Sequence, residues 1–190
     1  DQLAAAIRDA ARHGRALRIR GGGTKDFYGS ALRGDILDMR PCSGIVSYEP
    51  TELAITARAG VPLAEIEAAL RAHGQMLAFE PPHFGNLSPS PPAPLPQGAG
   101  RIERLMPQTG TATLGGCIAA GLSGPRRPYA GAVRDSVLGV RLLDGKGSDL
   151  RFGGQVMKNV AGFDVSRLIA GSMGTLGVIV EVSLKVQPLP

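Results

Sequence analysis

The sequence predicts an α+β fold in two lobes that share a core. Short helices and short strands alternate over residues 1–84. Residues 88–96 then contain five prolines in nine positions, which excludes a regular helix or a central strand there. The rest of the chain returns to strands and ends on a strongly alternating segment. We therefore expect lobes at about 1–84 and 113–190, separated by a proline-rich insertion at about 86–111.

The first lobe is predicted to begin with a short helix. Leu3, Ala6, Ile7 and Ala10 recur at helical spacing, and Gly14 follows as a left-handed stop. Four runs with strand character come next, and Pro62 and Gly74 frame a second helix. The strands are expected at 16–20, 35–39, 45–49 and 53–59, and the second helix at 63–73.

The second lobe is predicted from a hairpin, a short helix and a final strand. Asp144 and Gly145 form the turn between strands at 136–143 and 150–152. Asp164 can cap a helix that ends near Gly171. In the last segment, apolar residues at 178, 180, 182, 184 and 186 face the core, while polar residues at 181, 183, 185 and 187 face away. The proline-rich segment between the lobes is expected to be a solvated excursion, with a proline-recognition ligand as the alternative.

Composition and charge argue against a nucleic-acid-binding protein. Hydrophobic residues make up 43% of the chain, which suits a globular interior, but only 4% of the residues are aromatic and Trp is absent. Stacking platforms for single-stranded nucleic acid are therefore hard to build. The formal net charge of +5 comes from 21 basic and 16 acidic residues that are scattered rather than clustered. We expect a solvated surface instead of a polyanion-binding face.

Cysteine and histidine positions predict no metal site. Cys42 and Cys117 lie far apart in the sequence and have no spacing typical of metal ligands, so we expect two free thiols in a reducing compartment. His13, His73 and His83 share no metal or triad spacing, and the first two fall at predicted helix ends, where they should be exposed. No secretory leader and no apolar run near ~18 residues is visible. The expected location is cytoplasmic, with no direct membrane insertion and any contact with the inner membrane made through partner subunits.

Three glycine-rich stretches carry the functional signal. The first, Arg20-Gly21-Gly22-Gly23-Thr24-Lys25, directly follows a predicted strand. Consecutive glycines permit left-handed angles that turn successive N–H groups toward one point, as in phosphate-binding nests. A flexible turn is the alternative reading of this stretch. The other two stretches are 113–124, which can form a thin helix open to a ligand or a tightly packed one, and 171–177, which lies before the final strand.

Known nucleotide and hydrolase motifs are absent. Gly147 follows Gly145-Lys146 where a Walker A loop needs Ser or Thr. Asp26 occupies the last glycine position of a dinucleotide G-x-G-x-x-G pattern, and Ala170 replaces the first glycine of a nucleophile elbow. No catalytic residue can be named from the sequence. The chemistry is better assigned to a bound cofactor that the protein positions.

The order of the glycine stretches resembles the vanillyl-alcohol oxidase/p-cresol methylhydroxylase type of FAD-binding domain. Within that type, the chain is similar to the FAD-binding subunits of bacterial glycolate oxidase. The similar segments cover well over half of the chain: LRIRGGGTKDFYG (17–29), QMLAFEPPHFG (75–85), GLSGPRR (121–127), GAVRDSVLGVRLLD (131–144), FGGQVMKNVAGFDVSRL (152–168) and 171–186.

The resemblance implies a two-lobed domain with FAD between the lobes. The flavin should be held without a covalent bond, because relatives that attach it at the first loop use a histidine where this loop offers Thr24 and Lys25. The family has a shorter path where this chain has residues 86–111, and it continues into a C-terminal cap domain that these 190 residues are expected to lack. The implied FAD-lining residues are Arg20, Gly21, Gly22, Gly23, Thr24, Lys25, Thr113, Gly115, Gly116, Ser123, Gly124, Gly174, Gly177, Val178 and Ile179.

The same resemblance implies an FAD-dependent oxidoreductase acting on CH–OH donors. The expected reaction is oxidation of glycolate, a 2-hydroxy acid, to glyoxylate with hydride transfer to FAD, although this chain alone can be inactive. Expected partners are a second FAD subunit and an iron–sulfur subunit. Two alternatives stay open: a D-lactate-type 2-hydroxy-acid dehydrogenase, and a non-catalytic flavin or electron-transfer module of a multisubunit complex.

Overall fold

The computed structural model describes residues 2–28, 33–84, 110–154 and 163–190. The predicted proline-rich insertion falls almost entirely outside the described residues, as does part of the segment at 152–168. The described elements are α1 (Gln2–Arg12), β1 (Leu17–Arg20), β2 (Asp35–Asp38), β3 (Ile45–Glu49), β4 (Ala54–Arg58), α2 (Leu63–Arg71), β5 (Gln75–Leu77), α3 (Leu114–Ala120), α4 (Arg127–Ala130), β6 (Val137–Leu143), β7 (Asp149–Gly153), α5 (Val165–Ile169) and β8 (Val178–Pro188).

The helix boundaries agree with their sequence signals. The helix α1 buries Ile7 and Ala10 and is followed by Gly14 with φ of 60°. The helix α2 starts after Pro62, and Gly74, with φ of 65°, lies just beyond its end. At α5, the Asp164 carboxylate accepts a hydrogen bond from the Arg167 amide at 3.1 Å. These local stop and cap signals are readable because each acts within one helical turn.

Two sheets form the framework of the chain. The strands β1 and β2 make a small parallel pair in which Leu17 lies opposite Asp35. The second sheet has six strands in the order β3-β4-β8-β6-β7, and β5 also pairs with β8 near its end. Every pairing in the larger sheet is antiparallel. The described structure is thus a mixed α/β fold, as the sequence predicts.

The larger sheet draws strands from both sides of the proline-rich segment. The strands β3, β4 and β5 come from residues 1–84, and β6, β7 and β8 come from residues 113–190. Buried residues from both ranges also form one hydrophobic cluster, in which α2 packs against β5 and α3 packs against β4 and β8. The two sequence ranges therefore share one sheet and one core.

The strand β8 corrects one sequence expectation. Its alternation predicts a core face and an outward polar face, but Ser183 on the outward face is only 8% exposed. The Ser183 hydroxyl lies 2.8 Å from the hydroxyl of Thr56, its cross-strand partner in β4. A buried hydroxyl needs such a partner to offset desolvation. The strand is central, with neighbours on both edges, and so it is more buried than a strand with one free face.

No helix in the described ranges has the length and apolar character needed to cross a membrane. The longest of them, α1, has 11 residues, whereas a membrane-spanning helix needs about 20.

Replacement of Leu184 by Ala should destabilise the fold strongly. Leu184 is 0% exposed and lies opposite Ile55 in the sheet. The lost burial and the cavity should lower the free energy of unfolding by about 2–5 kcal/mol, measured by urea titration. The matched control is Leu168→Ala, because Leu168 is 62% exposed and should change stability by no more than ~0.5 kcal/mol. Equal effects of the two substitutions would contradict the central position of β8.

Candidate functional site

The three glycine stretches meet at one cleft. The loop 20–26 after β1 forms one side, and α3 with the loop 171–177 before β8 forms the other. The cleft consists of two adjoining pockets of about 80 and 130 Å³. The residues that line both pockets are Ile19, Gly21, Thr113, Gly116, Ala119 and Met173.

The two ends of this cleft differ in chemistry. The smaller pocket is apolar and is closed by Met39, Ala59, Gly115 and Ile179. The larger pocket is formed by the loop 20–26 and opens toward Tyr28. A ligand that fills the cleft therefore meets an apolar surface at one end and backbone amides with charged side chains at the other.

Close backbone contact fixes the glycine loop. A Cβ on Gly22 would overlap the carbonyl oxygen of Thr111, and a Cβ on Gly21 would overlap the hydroxyl of Thr113. On the opposing side, a Cβ on Gly110 would overlap the carbonyl oxygen of Gly22. These glycines are needed because the loop touches residues 110–113 backbone to backbone. The flexible-turn alternative for this loop is therefore not supported by the packing.

Successive amides of the loop have no acceptor. Within the described parts of the chain, the N–H groups of Gly22, Gly23, Thr24 and Lys25 donate no hydrogen bond. Gly23 has φ of 73°, and Thr24 is only 4% exposed. Unpaired amides in a partly buried loop are costly unless water or a ligand accepts from them. Consecutive amides around a left-handed residue are the arrangement that binds anionic oxygens.

The charge around the loop is net positive. Arg18 and Arg20 both pair with Asp26, each at 2.9 Å, so two guanidinium groups share one carboxylate. Lys25 has no ion pair in the described structure, and its ammonium lies 5.8 Å from the centre of the Phe84 ring. Burial lowers the pKa of the Lys25 ammonium. An anion beside Lys25 would offset this cost by stabilising the charged form.

The first amides of α3 already have acceptors within the protein. The amides of Leu114 and Gly115 donate to the carbonyl oxygens of Val61 and Ala59 at 2.9 and 2.8 Å. The Gly116 amide donates to the Thr113 hydroxyl at 3.4 Å. The start of the helix is thus satisfied internally. The helix borders the cleft through the thin face of Gly116, Ala119 and Ala120.

The loop before β8 forms the remaining wall of the cleft and packs closely against its neighbours. A Cβ on Gly174, which has φ of 79°, would lie 2.9 Å from Cδ1 of Ile19. Gly177 lies against Leu142 and Leu143 of β6 with similarly little space. The Met173 amide donates to the carbonyl oxygen of Ala119 at 2.9 Å, which ties this loop to α3. Glycine is therefore needed at both positions, because a side chain would collide with these neighbours and would also narrow the cleft for a ligand.

Comparison with known proteins identifies the cofactor. Residues 1–88, a little under half of the chain, match the family model described as FAD binding domain. FAD is therefore its cofactor, as the sequence resemblance implies.

Named relatives include oxidoreductases of hydroxy acids. The Escherichia coli (strain K12) protein named glycolate oxidase subunit GlcE is 51% identical over 174 residues, 92% of this chain and 43% of that protein. Glycolate oxidase subunit GlcD of Bacillus subtilis (strain 168) is 41% identical over 78 residues, 41% of this chain and 17% of that protein. A D-lactate dehydrogenase of Archaeoglobus fulgidus is 30% identical over 173 residues, 90% of this chain and 33% of that protein. The chain thus spans less than half the length of these relatives.

Most of the residues that the resemblance implies for FAD line the cleft. The cleft contains the predicted residues Arg20, Gly21, Gly22, Gly23, Thr24, Lys25, Thr113, Gly115, Gly116, Gly174, Gly177 and Ile179. The two pockets do not include Ser123, Gly124 or Val178. Ser123 accepts a hydrogen bond from the Val133 amide at 2.9 Å, and Gly124 packs against Glu80. Both residues hold the loop that follows α3.

Several cleft residues of the FAD-binding domain are not predicted from the sequence. Ile19 and Asp26 directly precede and follow the predicted stretch 20–25. Their position next to it in the sequence could have identified them as cleft residues. Met39 and Ala59 follow the ends of β2 and β4 and reach the cleft only through the tertiary fold. The other residues that line the cleft but were not predicted are Tyr28, Ala119, Ala120 and Met173.

The two cysteines are free, as predicted. Burial raises the pKa of the Cys117 thiol in α3 to about 12, although the nearby Lys25 acts in the opposite direction. Burial also raises the pKa of Cys42. Cys117 is therefore held as the neutral thiol, which is the unreactive form.

Cys117 should react very slowly with Ellman's reagent at pH 8 in the native state. The half-buried Cys42 should react faster than Cys117, and both should react rapidly in concentrated urea. The rates are assigned with the single variants Cys42→Ser and Cys117→Ser. A native Cys117 that reacts as fast as the unfolded chain would show that α3 is not packed as described.

Proposed function

We propose that FAD lies in the cleft with its diphosphate against the loop 22–25. The observation that supports this placement is the run of amides from Gly22 to Lys25, which have no acceptor among the described residues. A diphosphate supplies the acceptor oxygens that these donors lack, and Lys25 offsets part of its charge. We further propose that FAD lies between two lobes with boundaries at about 1–84 and 113–190. The loop after β1 would contact the cofactor from the first lobe, and α3 with the loop before β8 would contact it from the second.

The ring systems of the cofactor need apolar surfaces. The cleft has one at its inner end, and a group of aromatic rings lies beside the charged loop at its outer end. The inner end has Met39, Ala59 and Ile179. Near the outer end, the rings of Phe27 and Phe84 meet edge to face at 5.5 Å, and Tyr28 lies beside Phe27. These surfaces fit a dinucleotide with a planar ring at each end.

The flavin is proposed to bind without a covalent link. No histidine is among the described residues that line the two pockets. Thr24 and Lys25 occupy the loop where a histidine would be needed for attachment. The chain is expected to release intact FAD when it unfolds.

We propose that the complete protein takes part in oxidising a 2-hydroxy acid, with glycolate as the substrate and glyoxylate as the product. The relatives named glycolate oxidase subunits support this substrate, and those named D-lactate dehydrogenases support the wider class. The chemistry that bound FAD would supply is acceptance of a hydride from the carbon that bears the hydroxyl group. The described residues contribute binding of the cofactor, and no substrate-binding residue is assigned.

Two alternative functions are each supported by particular relatives. A D-lactate-type dehydrogenase is supported by the 30% identity to the archaeal enzyme over 90% of this chain. A non-catalytic flavin module is supported by the similarity to proteins named as separate subunits, GlcE and GlcD. A multisubunit complex with a second FAD subunit and an iron–sulfur subunit, attached to the inner membrane only through those partners, belongs to the same proposal.

FAD titration of the cofactor-free chain tests the placement of the diphosphate. The chain should bind FAD, and the flavin released on unfolding should be unmodified. Lys25→Met should weaken binding roughly tenfold, because one charge-assisted contact to phosphate is lost. Lys146→Met is the matched control, since Lys146 is exposed in the β6–β7 turn, and it should leave the affinity unchanged. Equal affinities for the two variants would reject the proposed role of Lys25.

Turnover by the full-length protein separates the proposed activities. We expect glycolate to reduce an artificial electron acceptor with a higher kcat/KM than D-lactate does, both alone and with partner subunits added. Preference for D-lactate would favour the dehydrogenase alternative. If neither acid is oxidised by the full-length protein alone, but glycolate oxidation appears on adding its partners, the module would be favoured.

A further inference from the structure

A second cavity of about 400 Å³ lies outside the cofactor cleft. Its walls are α2, β5, the segment 79–83 and the loop that contains Arg126. None of its lining residues belongs to either pocket of the cleft. The volume falls within the range typical of small-molecule sites.

The floor of this second cavity is apolar. Leu77 and Phe79 are 4% and 2% exposed, and Met76 lies beside them. Leu189, which follows β8, forms part of the rim. A ligand with an apolar body could therefore remove a hydrophobic surface from water here.

The carboxylates of the cavity already have partners. Glu67 pairs with Nε2 of His83 at 2.8 Å. The Glu80 carboxylate accepts a hydrogen bond from the backbone amide of Arg126 at 2.9 Å. Among the residues that the structure describes, neither carboxylate forms an ion pair with an arginine side chain.

The two arginine side chains of the cavity lack an anionic partner. Within the described residues, Arg71 makes no hydrogen bond or ion pair, and the half-buried Arg126 guanidinium donates only to the Met76 sulfur at 3.3 Å. A thioether is a weak acceptor. Two planar guanidinium groups beside an apolar floor match an oxyanion attached to an apolar body.

We propose that this cavity is a binding site for a small organic anion, a carboxylate or phosphate ester joined to an apolar group. Arg71 and Arg126 would bind the oxyanion, and Leu77 and Phe79 would contact the apolar group. The site is separate from the cofactor cleft, so it does not depend on the placement of FAD.

Amide chemical shifts of the ¹⁵N-labelled chain test the proposal, with and without saturating FAD. The probes are 3-phenylpropionate, benzyl phosphate and the neutral 3-phenylpropionamide. At least one anion should shift the amides of Met76, Leu77 and Arg126 and bind roughly tenfold or more tightly than the amide, because guanidinium contacts are charge-assisted. The tighter of the two anions identifies the chemical class.

Arginine variants test whether the anion binds at Arg71 and Arg126. Arg71→Ala and Arg126→Ala should each weaken the tighter anion roughly tenfold. Arg127→Ala, which removes the exposed neighbouring guanidinium, should not change the affinity. Arg71 is exposed in a helix, so its replacement by Ala should leave the spectrum elsewhere unchanged even if Arg126→Ala disturbs the loop.

Three outcomes would overturn the proposal. The first is equal affinity for 3-phenylpropionate and 3-phenylpropionamide, which would show that the arginines do not recognise the charge and that binding is only hydrophobic. The second is a set of shifts confined to residues 21–25, which would place the anion in the cofactor cleft. The third is an unchanged affinity in Arg71→Ala and Arg126→Ala.

Discussion

The contact between the glycine loop and residues 110–113 determines how the cleft is built. At this contact, two backbone segments meet with no space for a side chain on Gly21, Gly22 or Gly110. Among the described residues, the amides of Gly22 to Lys25 in this loop have no acceptor. The same contact brings the loop that follows β1 against the residues that lead into α3, and α3 packs on β4 and β8 of the larger sheet. A single side chain at these positions would separate the two halves of the site.

The electrostatics of the cleft follow from that packing. Asp26 neutralises only one of the charges on Arg18 and Arg20, and the half-buried Lys25 has no carboxylate partner among the residues that the structure describes. A cation kept in this position costs free energy in the absence of an anion. The first donors of α3, by contrast, are satisfied within the protein. This difference is why the proposed contact with the diphosphate is assigned to the loop.

Local signals made a large part of the fold predictable. Gly14, Gly74 and Asp164 mark helix ends, and the alternation of β8 identifies its core face, because each signal acts between near neighbours in sequence. The residues expected to line FAD belong to the glycine-rich stretches or follow them directly, and most of them line the cleft. Ser123 and Gly124 do not line the two pockets, because their stretch turns away after α3 to hold another loop.

By itself, the sequence predicted most of the helices and strands and located the three glycine stretches, because propensity and turn geometry are local properties, but it did not predict β5 or α4. The type of cofactor followed from the family resemblance of those stretches. Tertiary structure alone decided that strands from both sides of the proline-rich segment share one sheet, and that Met39 and Ala59 close the cleft. It also decided that Arg71 and Arg126, far apart in sequence, line one cavity. Such pairings depend on which hydrophobic faces pack together, and no short window of sequence contains that information.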